Sequence, residues 1–172
     1  MKLISLASTA LAGVLIAFII YGVSLSKRTE IMQSITIEAP ASVVWNVVSN
    51  SDEEHKWLKS IEALYNFNTS ARQVRYIFDD NTILVNQQVR KRESANTIDY
   101  FQISREKYTE LQDFSGQITV ISLADGSSEV QWKISYTTQT LSQNLVNHFS
   151  LVPKITQLIK INLKSLKNYI ED

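Results

Sequence analysis

Residues 35–45 read Ile-Thr-Ile-Glu-Ala-Pro-Ala-Ser-Val-Val-Trp, and the change of period inside this stretch orders the rest of the chain. Ile35 and Ile37 alternate with Thr36 and Glu38, the two-residue period of a strand with one buried face. Pro40 then lacks a backbone donor and has φ fixed near about −65°, which suits the first turn of a helix. Val44, Trp45, Val47 and Val48 follow at helical spacing, against the preference of valine for strands. Ser51-Asp52-Glu53-Glu54 has the form of a capping box, with Ser51 as cap and Glu54 three positions on. It predicts a second short helix with Trp57, Leu58 and Ile61 on one face.

Beyond Glu62 the period is two again. Tyr65 and Phe67 alternate with Leu64 and Asn66, and Val74, Tyr76 and Phe78 with Arg75 and Ile77. Asp79-Asp80-Asn81 reads as a turn, after which Ile83, Val85, Gln87 and Val89 share a face. Ser94-Ala95-Asn96 turns the chain once more into Ile98, Tyr100 and Gln102. The polar residues 105–109 form a connection, and a strand lies between Leu111 and Leu123. Asp125-Gly126-Ser127 leads into a strand with Val130, Trp132, Ile134 and Tyr136 on one side. This gives six strands after the short helices and seven in all, arranged as an antiparallel meander.

The last third is helical. Leu141, Leu145 and Phe149 recur every four residues, and Pro153 predicts a kink or break. Ile155, Leu158, Ile159, Leu163, Leu166, Tyr169 and Ile170 then form one long apolar stripe. At the other end, residues 3–25 carry no charge and are flanked by Lys2 and by Lys27-Arg28. As a helix this run spans roughly 34 Å, enough for a hydrocarbon core of about 30 Å. It predicts a single-pass membrane anchor over residues 1–28 ahead of a domain over 29–172. A cleaved signal peptide is the rival reading, and the balance of flanking charges leaves the side of the domain open.

Composition narrows the chemistry. The chain has 172 residues, with 17 Lys+Arg against 17 Asp+Glu, so no basic surface points to nucleic acid. It has no cysteine, which removes disulfides, thiolate metal sites and thiol nucleophiles. Four glycines give little material for a nucleotide-binding loop. His55 and His148 are far apart, Asp79-Asp80 sits in a turn, and no serine lies in a nucleophile elbow. No catalytic set, metal site or cofactor site is identified.

A curved sheet with one apolar face needs a cover, and the terminal helix is the one large amphipathic element left. This order is the helix-grip arrangement, an α+β fold with a seven-stranded antiparallel sheet around a long C-terminal helix. Residues 35–45, followed by Trp57, resemble the opening of the START-like, or SRPBCC, superfamily, which includes polyketide cyclase/dehydrase and lipid-transport proteins. Gly126-Ser127-Ser128-Glu129-Val130-Gln131-Trp132 resembles the late hairpin of that family, with Ser128 where threonine is common. The resemblance covers about residues 31–170.

The resemblance implies a cavity between sheet and helix, with Trp57, Tyr65, Phe67, Gln87, Tyr100 and Trp132 near it. The plainer reading of these aromatics, and the one favoured residue by residue, is core packing, whereas an inward Gln87 amide needs a partner that a ligand or water would provide. The function expected is binding or transfer of an apolar small molecule, a lipid or a polyketide- or isoprenoid-like compound, by a membrane-anchored domain. Two alternatives stand beside it: a cyclase/dehydrase-like enzyme, and a non-catalytic protein-interaction module with a filled cavity.

Overall fold

The computed structural model describes residues 14, 16, 17, 19–59, 61–68, 70–78, 81–105 and 112–172, without the side chains of 61–68, 76–78, 81–84 and 103–105. Strand β1 (Arg28–Ile37) leads through Pro40 into helix α1 (Ala41–Ser49) and the short helix α2 (Glu54–Trp57). Strands β2 (Ile61–Asn68), β3 (Ala71–Phe78), β4 (Asn81–Arg92), β5 (Thr97–Arg105), β6 (Gln112–Ser122) and β7 (Ser128–Thr137) follow. Helix α3 (Leu141–Val146), a π-helical turn (Asn147–Leu151) and helix α4 (Val152–Glu171) complete the chain.

The strands form one antiparallel sheet of seven in the order β1-β7-β6-β5-β4-β3-β2. Its consecutive hairpins follow from the turns between them. At the β6–β7 turn Gly126 takes a left-handed φ of 87°, and Asp125 Oδ1 accepts from both N and Oγ of Ser127. The first and last strands pair directly, with Ile31 opposite Ile134 and Ile35 opposite Val130. Ser128 is fully buried and its Oγ donates to the Ala39 carbonyl at 2.8 Å, tying the β7 start to the chain entering α1.

One face of the sheet is apolar, as the period-two pattern requires. Along β7 Val130, Trp132, Ile134 and Tyr136 are buried, and they meet Ile155, Ile159, Leu163 and Leu166 of α4 in one core. Helix α4 is clasped to β1 at its far end. The Lys167 ammonium donates to the Thr36 carbonyl, and the Glu38 backbone N–H donates to the Glu171 carboxylate.

Two local readings are corrected. Helix α2 has Glu53 at its N-cap position and no side-chain cap, so the Ser51–Glu54 box does not form; Glu54 turns inward instead. Pro153, where the sequence predicts a kink or break, lies in the first turn of α4 directly after a π turn, so the helical period changes beside it. The extra residue of the preceding π turn shifts the helical phase. Asn147 is thereby buried and Phe149 is left exposed, although Leu141, Leu145 and Phe149 follow a plain four-residue spacing. The Tyr136 hydroxyl donates to Asn147 Oδ1 at 2.6 Å, and Asn147 Nδ2 donates to Thr29 Oγ1 at 2.7 Å. Burial pushes that tyrosine hydroxyl up to about 12.

The N-terminal reading is also corrected. Among the described residues no helix is long and apolar enough to cross a membrane, so the transmembrane helix over 3–25 and the single-pass membrane localisation are not supported. A span takes about 20 apolar residues in one helix. The continuous helical stretch described here covers only residues 19–24; residues 1–13, 15 and 18 lie outside the described residues. This stretch docks on α3 and the π turn. Gly22 is buried so closely that a Cβ there would strike Leu141, and the Tyr21 hydroxyl lies 2.9 Å from His148 Nε2.

If α4 closes the core, truncating its stripe is costly and truncating its outer face is not. Ile159→Ala is expected to lower stability by about 2–5 kcal/mol, and Lys160→Ala by less than about 0.5 kcal/mol, both measured by urea unfolding.

Candidate functional site

The inner face of the sheet carries a buried polar cluster among its apolar residues. Arg72 of β3, Gln87 of β4 and Tyr100 of β5 point toward the helices from neighbouring strands, with Arg72 directly opposite Gln87 and Tyr100 one register step away opposite Val89. From above, α2 lowers Glu54 and Trp57, three residues apart and so on one face of the helical turn. Glu54 Oε2 and Arg72 Nη1 form an ion pair with both side chains about 5% exposed or less. The Arg72 Nε also donates to Gln87 Oε1 at 3.0 Å. Its guanidinium lies over the Tyr100 ring, 4.5 Å from the centroid, in a cation–π contact.

The surroundings explain how these groups are held. Opposite Tyr100 stands Gly116 of β6, and a Cβ there would sit 3.6 Å from the Tyr100 ring, in ordinary contact. Next along the face, Ile118 opposes Trp132, whose ring meets that of Trp57 edge-on at 6.2 Å between centroids. Helix α2 is strapped to α4 by three bonds. Asn162 Oδ1, fully buried, accepts from the Lys59 N–H, while the Tyr169 hydroxyl bonds both Lys56 and Glu53.

Burial dominates the Glu54 carboxyl and pushes it above the ordinary carboxylate range, against the pull of Arg72 and, more weakly, of Lys91. The site thus contains a carboxyl paired with a guanidinium of five donors, an amide and three aromatic rings. Such a set can accept a molecule that is mostly apolar with a few polar points.

Four of the six residues picked from the sequence have described side chains, and all four are buried: Gln87, Tyr100 and Trp132 on the sheet and Trp57 on α2 above it. The side chains of Tyr65 and Phe67 lie outside the described residues. Gln87 does have an inward partner, but it is Arg72. Sequence reasoning missed Glu54 and Arg72. Arg72 was within reach, since it shares the inward face of β3 with Val74 two residues on; Glu54 was hidden by its resemblance to a cap. Asp79 and Asp80 lie outside the described residues, and among the described residues no His, Asp or Glu cluster could hold a metal ion.

A second charged cluster lies on the other face of the sheet. Asp99 accepts from Arg90, Arg92 and Gln117 there, with both arginines substantially exposed, so Arg90 and Arg92 form a solvated sheet surface. Lys91 between them turns the other way and donates to the Ser49 carbonyl.

Removing one partner of the inner pair strands a buried charge. Arg72→Met is expected to cost about 3–5 kcal/mol at neutral pH, and adding Glu54→Leu to it should recover most of that loss. Without Arg72 only burial acts strongly on Glu54, so the folded chain binds a proton more tightly than the unfolded one. Stability of Arg72→Met therefore falls as pH rises above the ordinary Glu value of 4.5. Urea unfolding at pH 5 and pH 7 checks this, with the larger deficit at pH 7.

The model of the family described as polyketide cyclase / dehydrase and lipid transport matches residues 28–171. Among solved structures, an aromatase/cyclase from a Streptomyces species superposes with a TM-score of 0.72 at 12% identity, covering 84% of this chain and 94% of its own. A Thermus thermophilus protein gives 0.71 at 11% identity over 83% and 97% of the two chains. A START superfamily protein from Mycobacterium smegmatis gives 0.64 at 12% identity over 83% and 97%. At these identities the structures speak to the fold. No protein of curated function matches the sequence. The family match spans the sheet, the short helices and α4 together, and the chain belongs to the polyketide cyclase/dehydrase and lipid-transport family of the START-like superfamily.

Proposed function

We propose that the chain binds an apolar small molecule, a lipid or a polyketide- or isoprenoid-like compound, between the inner sheet face and the helices α2 and α4 that cover it. Trp57, Tyr65, Phe67, Gln87, Tyr100 and Trp132 are the residues proposed to contact it. The observation that carries this reading is the Glu54–Arg72–Gln87 cluster set into an otherwise apolar face. A buried ion pair adds little or nothing to stability over well-packed apolar side chains of the same volume. Its presence where the fold could hold a plain core supports a role in recognition, as in pockets where a few polar groups orient an apolar ligand. Family membership supports the same reading.

The pair also favours a second reading, that of an enzyme of the cyclase/dehydrase type. A carboxyl raised by burial can donate a proton, and the guanidinium beside it can steady the negative charge that develops on an enolate oxygen. On this reading Glu54→Gln abolishes turnover while the ligand still binds.

Native mass spectrometry of the full chain, before and after incubation with a lipid extract of its host, tests the first reading. One apolar molecule retained or acquired per chain is expected, and Trp132→Ala should weaken that uptake. A chain that neither retains nor acquires any molecule overturns it and favours an interaction module with a filled interior.

A further inference from the structure

Among the described residues one buried side-chain nitrogen or oxygen has no hydrogen-bond partner, and it is the Trp57 indole Nε1. Trp57 is fully buried and lies one helical turn from Glu54 on the face of α2 that meets the sheet. More than about nine in ten buried polar groups in native proteins are partnered, so this one calls for an explanation. Trp45 shows the ordinary arrangement: its Nε1 donates to Glu93 Oε2 at 2.6 Å. Nε1 of Trp57 is sealed from solvent, so exchange with bulk water does not serve it. What closes over the ring on one side is Trp132, through an edge contact with 6.2 Å between ring centroids.

An indole N–H donates and cannot accept, so its missing partner is an acceptor atom. Charge then restricts what carries that atom. The buried charged side chains among the described residues are Glu54, Arg72 and Asp99. Asp99 belongs to the outer face, and Glu54 and Arg72 neutralise each other. A carboxylate or ammonium carried into this interior would therefore stand as a net buried charge.

Building on the binding function proposed above, we infer that the ligand is an uncharged, largely apolar molecule bearing an acceptor oxygen, a ketone or ester carbonyl, which takes the Trp57 N–H. Trp57 is then the residue that separates oxygenated from plain hydrocarbon ligands. A buried neutral hydrogen bond of this kind favours the oxygenated ligand by about five- to tenfold.

Three probes of equal chain length decide the matter: tetradecan-2-one, tetradecane and tetradecanoate at neutral pH. Each is titrated into the full chain labelled with 15N, so that one set of spectra reports affinity and the indole N–H signals. Tetradecan-2-one is expected to bind about five- to tenfold more tightly than tetradecane, with tetradecanoate weakest. The ketone alone should move the Trp57 indole signal downfield, with Trp45 as the unmoved control. Trp57→Phe should erase the ketone's advantage and leave tetradecane binding in place; the wild-type indole shift makes the same point should that variant fold poorly. Equal affinity for ketone and alkane with an unmoved Trp57 signal overturns the inference while the apolar binding function stands. Tightest binding of tetradecanoate overturns it as well. Failure of all three to bind overturns the binding function and the inference together.

Discussion

The structure rests on a single geometric obligation. A seven-stranded antiparallel sheet with one apolar face is stable in water only when that face is covered. Helix α4 is the one described helix with a stripe long enough to do so. Its buried residues Ile155, Ile159, Leu163 and Leu166 meet the inward residues of β1, β6 and β7, where the core is densest in aliphatic side chains. Toward β3, β4 and β5 the inner face changes character, and α2 supplies the opposing groups instead. The Glu54–Arg72 pair sits there. The fold thus divides its interior into a plain core under α4 and a polar, aromatic region under α2, with Asn162 at the join through its bond to Lys59.

That division explains which parts of the molecule were legible in the sequence. Strands and α4 announce themselves by period, because each has one face in contact with a uniform apolar phase. Residues such as Val130, Trp132, Ile134 and Tyr136 can be assigned to the inside with no knowledge of their partners. The site is less legible because its key groups are charged. An arginine in a strand reads as an outward residue, and a glutamate three positions after a serine reads as part of a cap. Only their three-dimensional pairing makes either tolerable inside, and Glu54 and Arg72 are 18 positions apart. The π turn is a related case. Nothing in residues 147–151 breaks helical periodicity, yet the bonds of Asn147 to Tyr136 and Thr29 hold an extra residue in the helix and turn Phe149 outward.

The polar region also shows how family membership and individual function separate. The shared fold provides a sheet and a helix that grip one another, whatever is held between them. In this chain the inward residues are a neutralised ion pair, an amide engaged by the arginine, and an indole donor with nothing to donate to. The Tyr100 ring packed beneath the guanidinium, with glycine at position 116 opposite it, keeps the arginine in one place. The carboxylate, the guanidinium and the amide are each held by a partner on a different element.

The pairing of β1 with β7 has a consequence for how the chain comes into being. Arg28 must find Thr137, and Ile37 must find Ser128, across roughly a hundred residues of intervening chain. During synthesis at about 5–20 residues per second, β1 emerges roughly 5–20 s before its only strand neighbour. Over that interval Ile31, Ile35 and Ile37 have neither sheet nor helix to cover them, and the meander β2 to β6 closes its own hairpins first. The ribosome therefore delivers this sheet with its first strand waiting, and the nascent chain is most exposed to unwanted strand pairing at the end that was made earliest.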